Sequence, residues 1–378
     1  MPSRLISSMG AAGLALSLLL LAAFPAAGQN TSTTTGAAAT SDLPRTPEGH
    51  PDLQGTYDLA TMTPLERWPG DPPFLTKERA AALVQAESER RNKANEPSAA
   101  DRPAPPVGGD TTPAKSFFEA LEKAGGGAVG GYNNFWLNQG SAYTEVGGQI
   151  RTSILVDPPD GHLPPYTEAA RRRIAAARAN PTSTALERQD GTAQPPGAHD
   201  NPEQRPLSER CLLGFGSTSG PPALPDYFYN DLHQIVQTPD NIMILTEMVH
   251  DARIVRMNAQ HLPKTIRRWM GDSVGHWEGD TLVIDTTNFT DKTRFRGSGE
   301  NLHVVERLSR IDDKTLLYRF TIGDPDTWDR PWSGEYTWPA TSQPIYEYAC
   351  HEANYALGSV LRGARRLEAE QAAAEAKK

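Results

Sequence analysis

Histidines and carboxylates in the second half of the chain are the residues whose types allow proton-transfer chemistry. A histidine paired with a carboxylate in a partly desolvated setting can move protons near neutral pH. The catalytic candidates are five residues that fall on or beside predicted strands: His250, Asp251, His276, Glu306 and His351. These residue types favour cofactor-independent acid–base chemistry, with an isomerase, lyase or hydrolase outcome.

A charged residue on an otherwise apolar strand face has two interpretations. Glu306 shares its predicted face with Val304 and Leu308, and a lone buried carboxylate is costly unless it is paired. In the first interpretation, such acids and nearby arginines form a buried ionic network that serves only the fold. In the second, they line a ligand cavity, where Arg253 or Arg319 holds an anionic group of the substrate.

Aromatic side chains concentrate at predicted loops and strand ends. In a β-barrel, residues at these places can form the mouth of a small-molecule site, and they can also cover the barrel end for stability alone. The substrate-binding candidates from this group are Tyr132, Trp136, Tyr229, Trp332 and Tyr348. They predict a small apolar or aromatic molecule as the partner.

The stretch GDSVGHWEGDTLVIDTTNF (271–289) combines polar residues with a strand pattern. EGD is typical of a hairpin turn and TLVID of the returning strand. We therefore expect Glu278 and Asp280 to face solvent. Asp285 and Asn288 are expected to fix the strand's exit by local hydrogen bonds from side chain to backbone.

Motifs for metals, nucleophiles and nucleotides are weak in this sequence. No H-E-x-x-H or H-x-H spacing occurs, so the histidines at 233, 250, 276, 303 and 351 would reach a common metal only through the fold. The Gly-rich GFGSTSG (214–220) lacks the strand–turn–helix context of a nucleophile elbow. Neither G-x-G-x-x-G nor a Walker A pattern occurs. We predict no metal and no cofactor.

The first 28 residues have the features of a signal peptide. Arg4 precedes the apolar run MGAAGLALSLLLLAAF (9–24), and AAG (26–28) supplies small residues for cleavage near Gly28. Residues 29–45 have the composition of a disordered leader. No later segment approaches the roughly 18 apolar residues of a membrane span. The sequence therefore predicts a periplasmic or secreted protein without membrane insertion.

Charge and cysteine content narrow the partners and the compartment further. The chain has 37 basic and 46 acidic residues, which argues against nucleic acid as a partner. Cys211 and Cys350 are its two cysteines, and in an oxidising compartment they are expected to form a disulfide. Closing a loop of roughly 140 residues would contribute about 4–5 kcal/mol. The alternative is a nucleophilic Cys350 beside His351.

Residues 231–351 contain short strands at close spacing, which indicate an antiparallel meander that forms a barrel or a strongly curved sheet. The predicted strands are HQIVQTP, NIMILTEM, DARIVRM, TLVIDTTNF, LHVVERLSRID, TLLYRFTIGD, SGEYTW and PIYEYACHE. The strands LQGTYDLA and QIRTSILVDPP would complete the sheet. Helices are predicted at about 76–95, 167–180 and 352–370. We expect one domain over 46–360, with an insertion at about 71–230 and a frayed helical tail at 361–378.

Several strings resemble a family of exported bacterial proteins found in Acidobacteria and sphingomonad-type Proteobacteria. They are PDLQGTYD, RTSILVDPPDG, HDARIV, GDSVGHWEGDTLVIDTTNF, ENLHVVERLSRID and PIYEYACHEANY. The resemblance covers most of residues 46–360 and implies no particular activity. LQGTYD and the strands after HWEGDTLVIDT are also similar to lipocalin-like (calycin) barrels, although Tyr57 stands where that pattern has Trp. This implies a mainly β, lipocalin-like antiparallel β-barrel or strongly curved sheet.

Three functional hypotheses follow. The first is an exported enzyme that holds an apolar or aromatic substrate in a barrel cavity and moves protons with histidine and carboxylate groups. The second is a non-catalytic periplasmic carrier or sensor on the same scaffold. The third is an interaction module of an envelope complex. Convergent ionisable groups in a cavity would favour the first hypothesis, and a filled interior with an apolar outer patch would favour the third.

Overall fold

Residues that alternate between apolar and polar build a large sheet in the second half of the chain, as a period-two pattern predicts. The structure is a computed structural model. It describes residues 43–94, 101, 138, 140–179, 197, 199–214, 220–225, 229–293, 295–352 and 354–377. The prediction of a mainly β fold is confirmed.

The strands lie in two sheets. In chain order they are β1 (Gly55–Asp58), β2 (Phe74–Leu75), β3 (Glu145–Val146), β4 (Gln149–Arg151), β5 (Leu155–Asp157), β6 (Leu232–Gln237), β7 (Asn241–Thr246), β8 (Ala252–Met257), β9 (Asp272–Glu278), β10 (Thr281–Thr287), β11 (His303–Arg310), β12 (Thr315–Gly323) and β13 (Trp332–Pro339). The main sheet is a curled half-barrel of ten strands in the order β1-β6-β7-β8-β9-β10-β11-β12-β13-β5. β2, β4 and β3 form a small second sheet.

Two antiparallel hairpins form part of the main sheet, and one of them is the predicted hairpin around EGD. β9 and β10 pair around the turn that contains Gly279, with Trp277 opposite Leu282. β11 and β12 pair with Leu308 opposite Tyr318. Alternation in TLLYRFTIG predicts that Leu316, Tyr318, Phe320 and Ile322 share one face, and all four are buried. On the opposite face Arg319 and Thr321 are exposed, whereas Leu317 is buried, so alternation identified the core-facing side but not the burial of every residue on the other side.

The pairing of β8 with β9 departs from the predicted antiparallel meander. These two strands run parallel, with Val255 opposite Ser273 and Met257 opposite Gly275. Two parallel neighbours need a connection of about a dozen residues that returns to the starting edge, since a tight turn would reverse the direction. Residues 258–271 make that return, and we call them the crossover loop. The prediction of a wholly antiparallel sheet was wrong at this pair.

The inner face of the curled sheet is packed with large side chains. Nine aromatic residues on or around it are each no more than 2% exposed: Trp328, Trp332, Trp338, Tyr57, Tyr318, Tyr336, Phe289, Phe295 and Phe320. The Tyr318 ring stacks on Trp338 with centroids 4.5 Å apart, and Trp328 meets Trp332 edge to face at 5.6 Å. The aromatic residues that were predicted to surround a cavity mouth thus include a buried core residue, Trp332.

The two ends of the strand sequence approach each other. Tyr57 in β1 forms an isolated antiparallel bridge with Ala340, just after β13. The Thr341 amide donates a hydrogen bond to the Thr56 carbonyl at 2.9 Å. The first and last strands of the chain are therefore in contact, although β1 and β5 occupy the edges of the sheet.

Helices form at the three predicted positions: α1 (Lys77–Ala94), α2 (Glu168–Arg178) and α3 (Tyr355–Glu375). Thr76 caps α1, because its hydroxyl oxygen accepts a hydrogen bond from the Arg79 amide at 3.2 Å. α3 contains no buried residue. Within the described residues, no helix has both the length and the apolar character needed to cross a membrane.

The predicted disulfide is confirmed, and two predicted strands are not formed as expected. Cys211 and Cys350 are bonded, with Cα atoms 5.7 Å apart. PIYEYACHE contains no strand, because its backbone is held by other contacts, such as the Tyr346 amide donating to the Glu247 carboxylate at 2.9 Å. QIRTSILVDPP is divided between β4 and β5, since the Ile154 amide instead bonds the Pro64 carbonyl at 2.8 Å.

Candidate functional site

A chain of alternating carboxylates and imidazoles lies on the outer face of the sheet. The carboxylate oxygen Oδ2 of Asp272 lies 3.1 Å from His261 Nδ1, and His261 Nε2 lies 3.0 Å from Asp285 Oδ1. The second oxygen of Asp285, Oδ2, lies 2.9 Å from His303 Nε2. We call these four residues the outer proton chain.

The strand register explains how three of these residues meet. Asp285 in β10 is opposite Val274 in β9 and Val305 in β11. Asp272 and His303 each stand two residues before those partners, so they share the same face of the sheet. β9 and β11 both run antiparallel to β10, and hence Asp272 and His303 lie diagonally on either side of Asp285, toward the same end.

The crossover loop supplies the fourth member, His261. The Leu262 amide donates to Asp272 Oδ2 at 2.9 Å, and Asn288 Nδ2 donates to the Leu262 carbonyl at 2.9 Å. Asn288 was expected to make a local bond at the strand exit, and it holds this distant loop instead. Its backbone has a φ of 59°, in the left-handed region that asparagine tolerates. The imidazole is thus held at the sheet by the backbone on its C-terminal side.

Exposure rises steadily along the outer proton chain. The side chains of Asp272, His261, Asp285 and His303 are 1%, 29%, 35% and 49% exposed, respectively. The buried end carries a fixed counter-charge as well, because Arg256 donates to both Asp272 oxygens at 3.0 Å. The chain therefore connects a buried carboxylate to an imidazole that meets solvent.

Hydrogen bonding and charge set the protonation of the open end. The Asp285 hydrogen bond raises the pKa of His303 against the smaller opposing effect of burial. Burial raises the pKa of Asp285, but the hydrogen bonds and charges of His303 and His261 outweigh it and leave that pKa lowered. The pKa of Asp272 is also lowered, because the Leu262 amide, His261 and Arg256 together outweigh burial. The arrangement favours a carboxylate beside an imidazolium.

A second charged group lies on the inner face, and we call Arg253, Glu306 and Tyr318 the inner ion cluster. Arg253 donates to both Glu306 oxygens, to Oε1 at 2.8 Å, and the Tyr318 hydroxyl donates to Oε1 at 2.8 Å. Glu306 is 0% and Arg253 5% exposed. Burial lowers the pKa of Arg253, but the charge and hydrogen bonds of Glu306 outweigh it and leave that pKa raised. The pairing of Glu306 with Arg253 matches the structural interpretation drawn from the sequence.

His233 lies near the inner ion cluster and stays neutral. Its Nε2 is 3.0 Å from the Thr246 hydroxyl, and its Nδ1 is 3.2 Å from the Asp231 carbonyl. Burial, with a further contribution from the charge of Arg253, lowers the pKa of His233 to about 4. This histidine is therefore suited to packing and not to proton transfer near neutral pH.

Five of the predicted site residues lie around the disulfide. His250 Nδ1 is 3.3 Å from the Tyr348 carbonyl, and the Tyr348 ring stacks on Tyr229 with centroids 6.4 Å apart. Asp251 accepts a hydrogen bond from the Gly214 amide at 3.2 Å. His351 is exposed beside Cys350, whose sulfur is bonded to Cys211. These contacts tie loops together at one junction.

His250 and His351, which lie around the disulfide, do not converge with Glu306. The alternation of Ile244 and Met248 predicts that His250 lies on their strand face, but β7 ends at Thr246. His250 is instead the last residue of a short 3₁₀ turn, Met248–His250, has a φ of 49° and is exposed. Within the described residues, neither His250 nor His351 forms a hydrogen bond or ion pair with the fully buried Glu306.

The remaining predicted site residues lie elsewhere. His276 is half exposed, and its Nε2 lies 3.2 Å from Glu278 Oε1. The other carboxylate oxygen of Glu278, Oε2, accepts a hydrogen bond from Arg307 at 2.7 Å. Arg319 donates to Glu335 at 2.7 Å, where Arg151 also binds. Trp332 lies in the core. Tyr132 and Trp136 lie outside the described residues.

Sequence reasoning missed His261 as a functional candidate, and it did not name Asp272 or Asp285 among the catalytic residues. His261 stands in the loop NAQHLPKTIRRWMG, which has no strand or helix period. The available signal was the length of that loop, because a connection of 14 residues between two strands permits a parallel crossover. Recognising the crossover would have placed His261 beside the start of β9.

Comparison of the chain with protein-family models, curated proteins and solved structures gives no match. Within the described residues, no group of three or more histidine, cysteine, aspartate or glutamate side chains has an arrangement that would hold a metal ion. The candidate site therefore rests on the geometry of the outer proton chain alone.

Proposed function

We propose that this protein is an exported enzyme that performs acid–base chemistry on a small molecule at the outer proton chain. The single observation that carries the proposal is the unbroken series of contacts from Asp272 through His261 and Asp285 to His303, each at 2.9–3.1 Å. Such a series orients the terminal imidazole and compensates the charge that it gains on taking a proton. Membership of the exported bacterial family suggested by the sequence remains a prediction.

In this proposal His303 is the residue that exchanges a proton with the substrate. Its Nε2 is engaged by Asp285, so its Nδ1 is the nitrogen that would face a substrate. Asp285 holds the imidazole with the proton on Nε2, which leaves Nδ1 as the base. His261 would hold Oδ1 of Asp285, the oxygen that does not contact His303, and buried Asp272 would fix the orientation of His261. The raised pKa of His303, caused by its bond to Asp285, favours a cation that returns the proton later in the reaction.

The substrate class follows from the crossover loop beside the site. This loop exposes Ile266 (45%) and Trp269 (39%), which offer apolar contact area. It also carries Lys264, Arg267 and Arg268 and no acidic residue. These features support a small apolar or aromatic substrate with an anionic group, as the sequence predicted. The substrate would lie on the outer face, since the inner face is occupied by packed aromatic side chains.

Two further proposals concern the scaffold and the compartment. We infer that the curled sheet is a lipocalin-like barrel, supported by the Tyr57–Ala340 bridge that brings β1 to the end of β13. The parallel β8–β9 pair would be a departure from that pattern. We infer export to an oxidising compartment, supported by the Cys211–Cys350 disulfide and by the apolar run at 9–24.

Isotope incorporation tests the proposed activity on a set of compounds, because the substrate itself is unidentified. Protein from residue 29 onward would be incubated with a defined library of small aromatic and apolar acids, esters and ketones. One set would be in D₂O and another in ¹⁸O-labelled water, and products would be measured by mass spectrometry. Deuterium on carbon would report proton abstraction, and ¹⁸O in a product would report hydrolysis.

The expected result is labelling of at least one compound by the wild-type protein. His303→Gln should slow that labelling by about 10²–10⁴-fold, the usual contribution of a general acid or base. His162→Gln is the matched control, because His162 is similarly exposed at 48% and lies outside the proposed site. Labelling that His303→Gln leaves unchanged, or no labelling of any compound, would contradict the proposal.

A further inference from the structure

α3 is a long helix with exposed apolar residues on one side. It spans 21 residues and contains no buried residue. Val360 is 36% and Leu367 54% exposed. Helices in water draw most of their stability from packing an apolar face, and two internal glycines, Gly358 and Gly363, weaken this one further. The exposed side of α3 therefore needs a partner.

The exposed stripe on α3 is symmetric about its centre. It consists of Val360, Gly363, Leu367, Gln371 and Ala374, all of them exposed. Their spacing of three and four residues places them on one side of the helix. Val360 and Ala374 stand equally far from Leu367 in sequence, as do Gly363 and Gln371. A second helix of the same sequence, running in the opposite direction, would meet this stripe position for position.

Leu367 also separates the basic residues of α3 from its acidic residues. Arg362, Arg365 and Arg366 precede Leu367 within the helix, whereas Glu368, Glu370 and Glu375 follow it. The pairs inside the helix, such as Arg366 with Glu370 at 2.8 Å, have the base before the acid. That order is the less favourable one for a single helix, and acids near a helix C-terminus oppose its dipole. The stability of α3 on its own therefore does not explain why its basic and acidic residues lie in separate halves.

We propose that α3 is a dimerisation helix that binds α3 of a second copy of this chain in the antiparallel direction. With the two Leu367 side chains at the centre, Arg366 of one copy is level with Glu368 of the other. The basic half of each helix then faces the acidic half of its partner. A parallel pair would set like charges against each other. This proposal is independent of the proposed enzymatic activity.

Sedimentation equilibrium of the chain from residue 29 onward tests the dimer. A single helix pair forms a small interface, so the protein should change from monomer to dimer as its concentration rises through the micromolar range. Leu367→Asp should weaken association at least tenfold. Ile311→Asp is the matched control, because Ile311 is similarly exposed at 46% but lies outside α3. A wild-type protein that stays monomeric up to several hundred micromolar would overturn the proposal.

A charge exchange tests the role of the divided charges. The triple variant Arg362→Glu, Arg365→Glu, Arg366→Glu should be monomeric, and so should Glu368→Arg, Glu370→Arg, Glu375→Arg. An equimolar mixture of the two should form a heterodimer. Circular dichroism of each variant shows whether it folds. Homodimers of either folded variant, or folded variants that do not associate when mixed, would contradict the proposed charge pairing.

Cross-linking by introduced cysteines tests the direction of the helices. Both native cysteines are in the disulfide, and no free cysteine is present among the described residues. Leu367→Cys should cross-link to itself. A mixture of Val360→Cys and Ala374→Cys should cross-link more efficiently than either variant alone. Preferential self-linking of Val360→Cys and of Ala374→Cys would instead indicate a parallel pair and overturn the antiparallel arrangement.

Discussion

The inner ion cluster and the outer proton chain lie on opposite faces of β10 and β11. Their residues stand at adjacent positions along these two strands. Glu306 of the inner ion cluster is opposite Ile284, and the next residue of β10, Asp285, belongs to the outer proton chain. Both groups join carboxylates to cations through short hydrogen bonds. They differ in access to water, since the inner cluster is sealed by aromatic side chains and the outer chain ends at a half-exposed imidazole.

Because adjacent strand positions face opposite sides of the sheet, a shift of one position decides which chemistry a carboxylate can perform. A sealed acid paired with arginine is out of reach of water and of a substrate, so its role is to hold the fold. A partly exposed acid between two histidines can respond to solvent and to a substrate. Substitutions in the inner group should therefore change stability most, and substitutions in the outer group should change it progressively less.

The largest effect is expected from removing the charge of Glu306. Glu306→Gln leaves the Arg253 guanidinium buried without its counter-charge, which should lower the free energy of unfolding by about 3–5 kcal/mol. Urea denaturation followed by circular dichroism measures it. The double variant Arg253→Met, Glu306→Gln should recover much of the loss, because it retains an acceptor for Tyr318 and leaves no unpaired charge. A double variant less stable than Glu306→Gln would mean that Arg253 stabilises the fold by other contacts.

A pH-dependent loss is expected from His233, beside the inner cluster. Burial lowers its folded-state pKa to about 4, below its ordinary value of 6.5. The unfolded chain therefore binds more protons between these values, and stability is complete above pH 6.5 and lost as pH falls toward 4. The loss should be about 3 kcal/mol. Urea denaturation midpoints of wild type and His233→Gln, recorded from pH 7 to pH 4, measure this loss, since it should be present in wild type and absent in the variant. Equal pH dependence in both would show that His233 does not carry the effect.

A smaller effect is expected at the buried end of the outer proton chain. Asp272 accepts hydrogen bonds from the Leu262 amide, Arg256 and His261. Asp272→Asn cannot accept all of these, since its amide group is itself a donor, and the expected cost is about 2 kcal/mol of unfolding free energy. Asp280→Asn on the exposed turn is the control and should change stability far less. Equal stability of Asp272→Asn and wild type would show that the carboxylate does not hold the crossover loop.

The sequence pattern predicted the main strands and the need of Glu306 for a buried partner. Alternation identified which side of β12 is buried, and the shared face of Glu306, Val304 and Leu308 indicated a buried acid that needs a partner. These predictions succeeded because a strand's period of two is local information. Arg253, Arg307 and Arg319 were all possible partners on the sequence, and the strand order of the fold selects Arg253.

The outer chain was not predictable in the same way. It depends on which strands are neighbours and in which direction they run, and a hydrophobic pattern carries no such information. The parallel β8–β9 pair moves His261 next to Asp272, 11 residues further along the chain. His250 was selected because it continues the alternation of Ile244 and Met248, whereas β7 ends at Thr246 and a turn at positive φ follows. Loop residues have no period, so their contacts emerge only from the fold.

The smallest effect, and the one that defines the outer chain, is expected from Asp285. Asp285→Asn removes the negative charge that helps to raise the pKa of His303 and leaves one acceptor oxygen for two histidines, so the pKa of His303 should fall. A raised folded-state pKa stabilises the protein below pH 6.5 and loses its contribution as pH rises through the folded value. Because both groups are more than a third exposed, solvent screening should limit the change in stability to less than about 1 kcal/mol.

Histidine NMR as a function of pH measures this shift, with the His303 signal assigned from its absence in His303→Gln. Glu278→Gln is the matched control, because Glu278 is an outer-face acid that contacts His276 and Arg307 instead of His303. It should leave the titration of His303 unchanged. If both variants shifted His303 equally, the general negative charge of this face would set its protonation. The outer proton chain would then have no special role, and the contrast with the inner cluster would reduce to exposure alone.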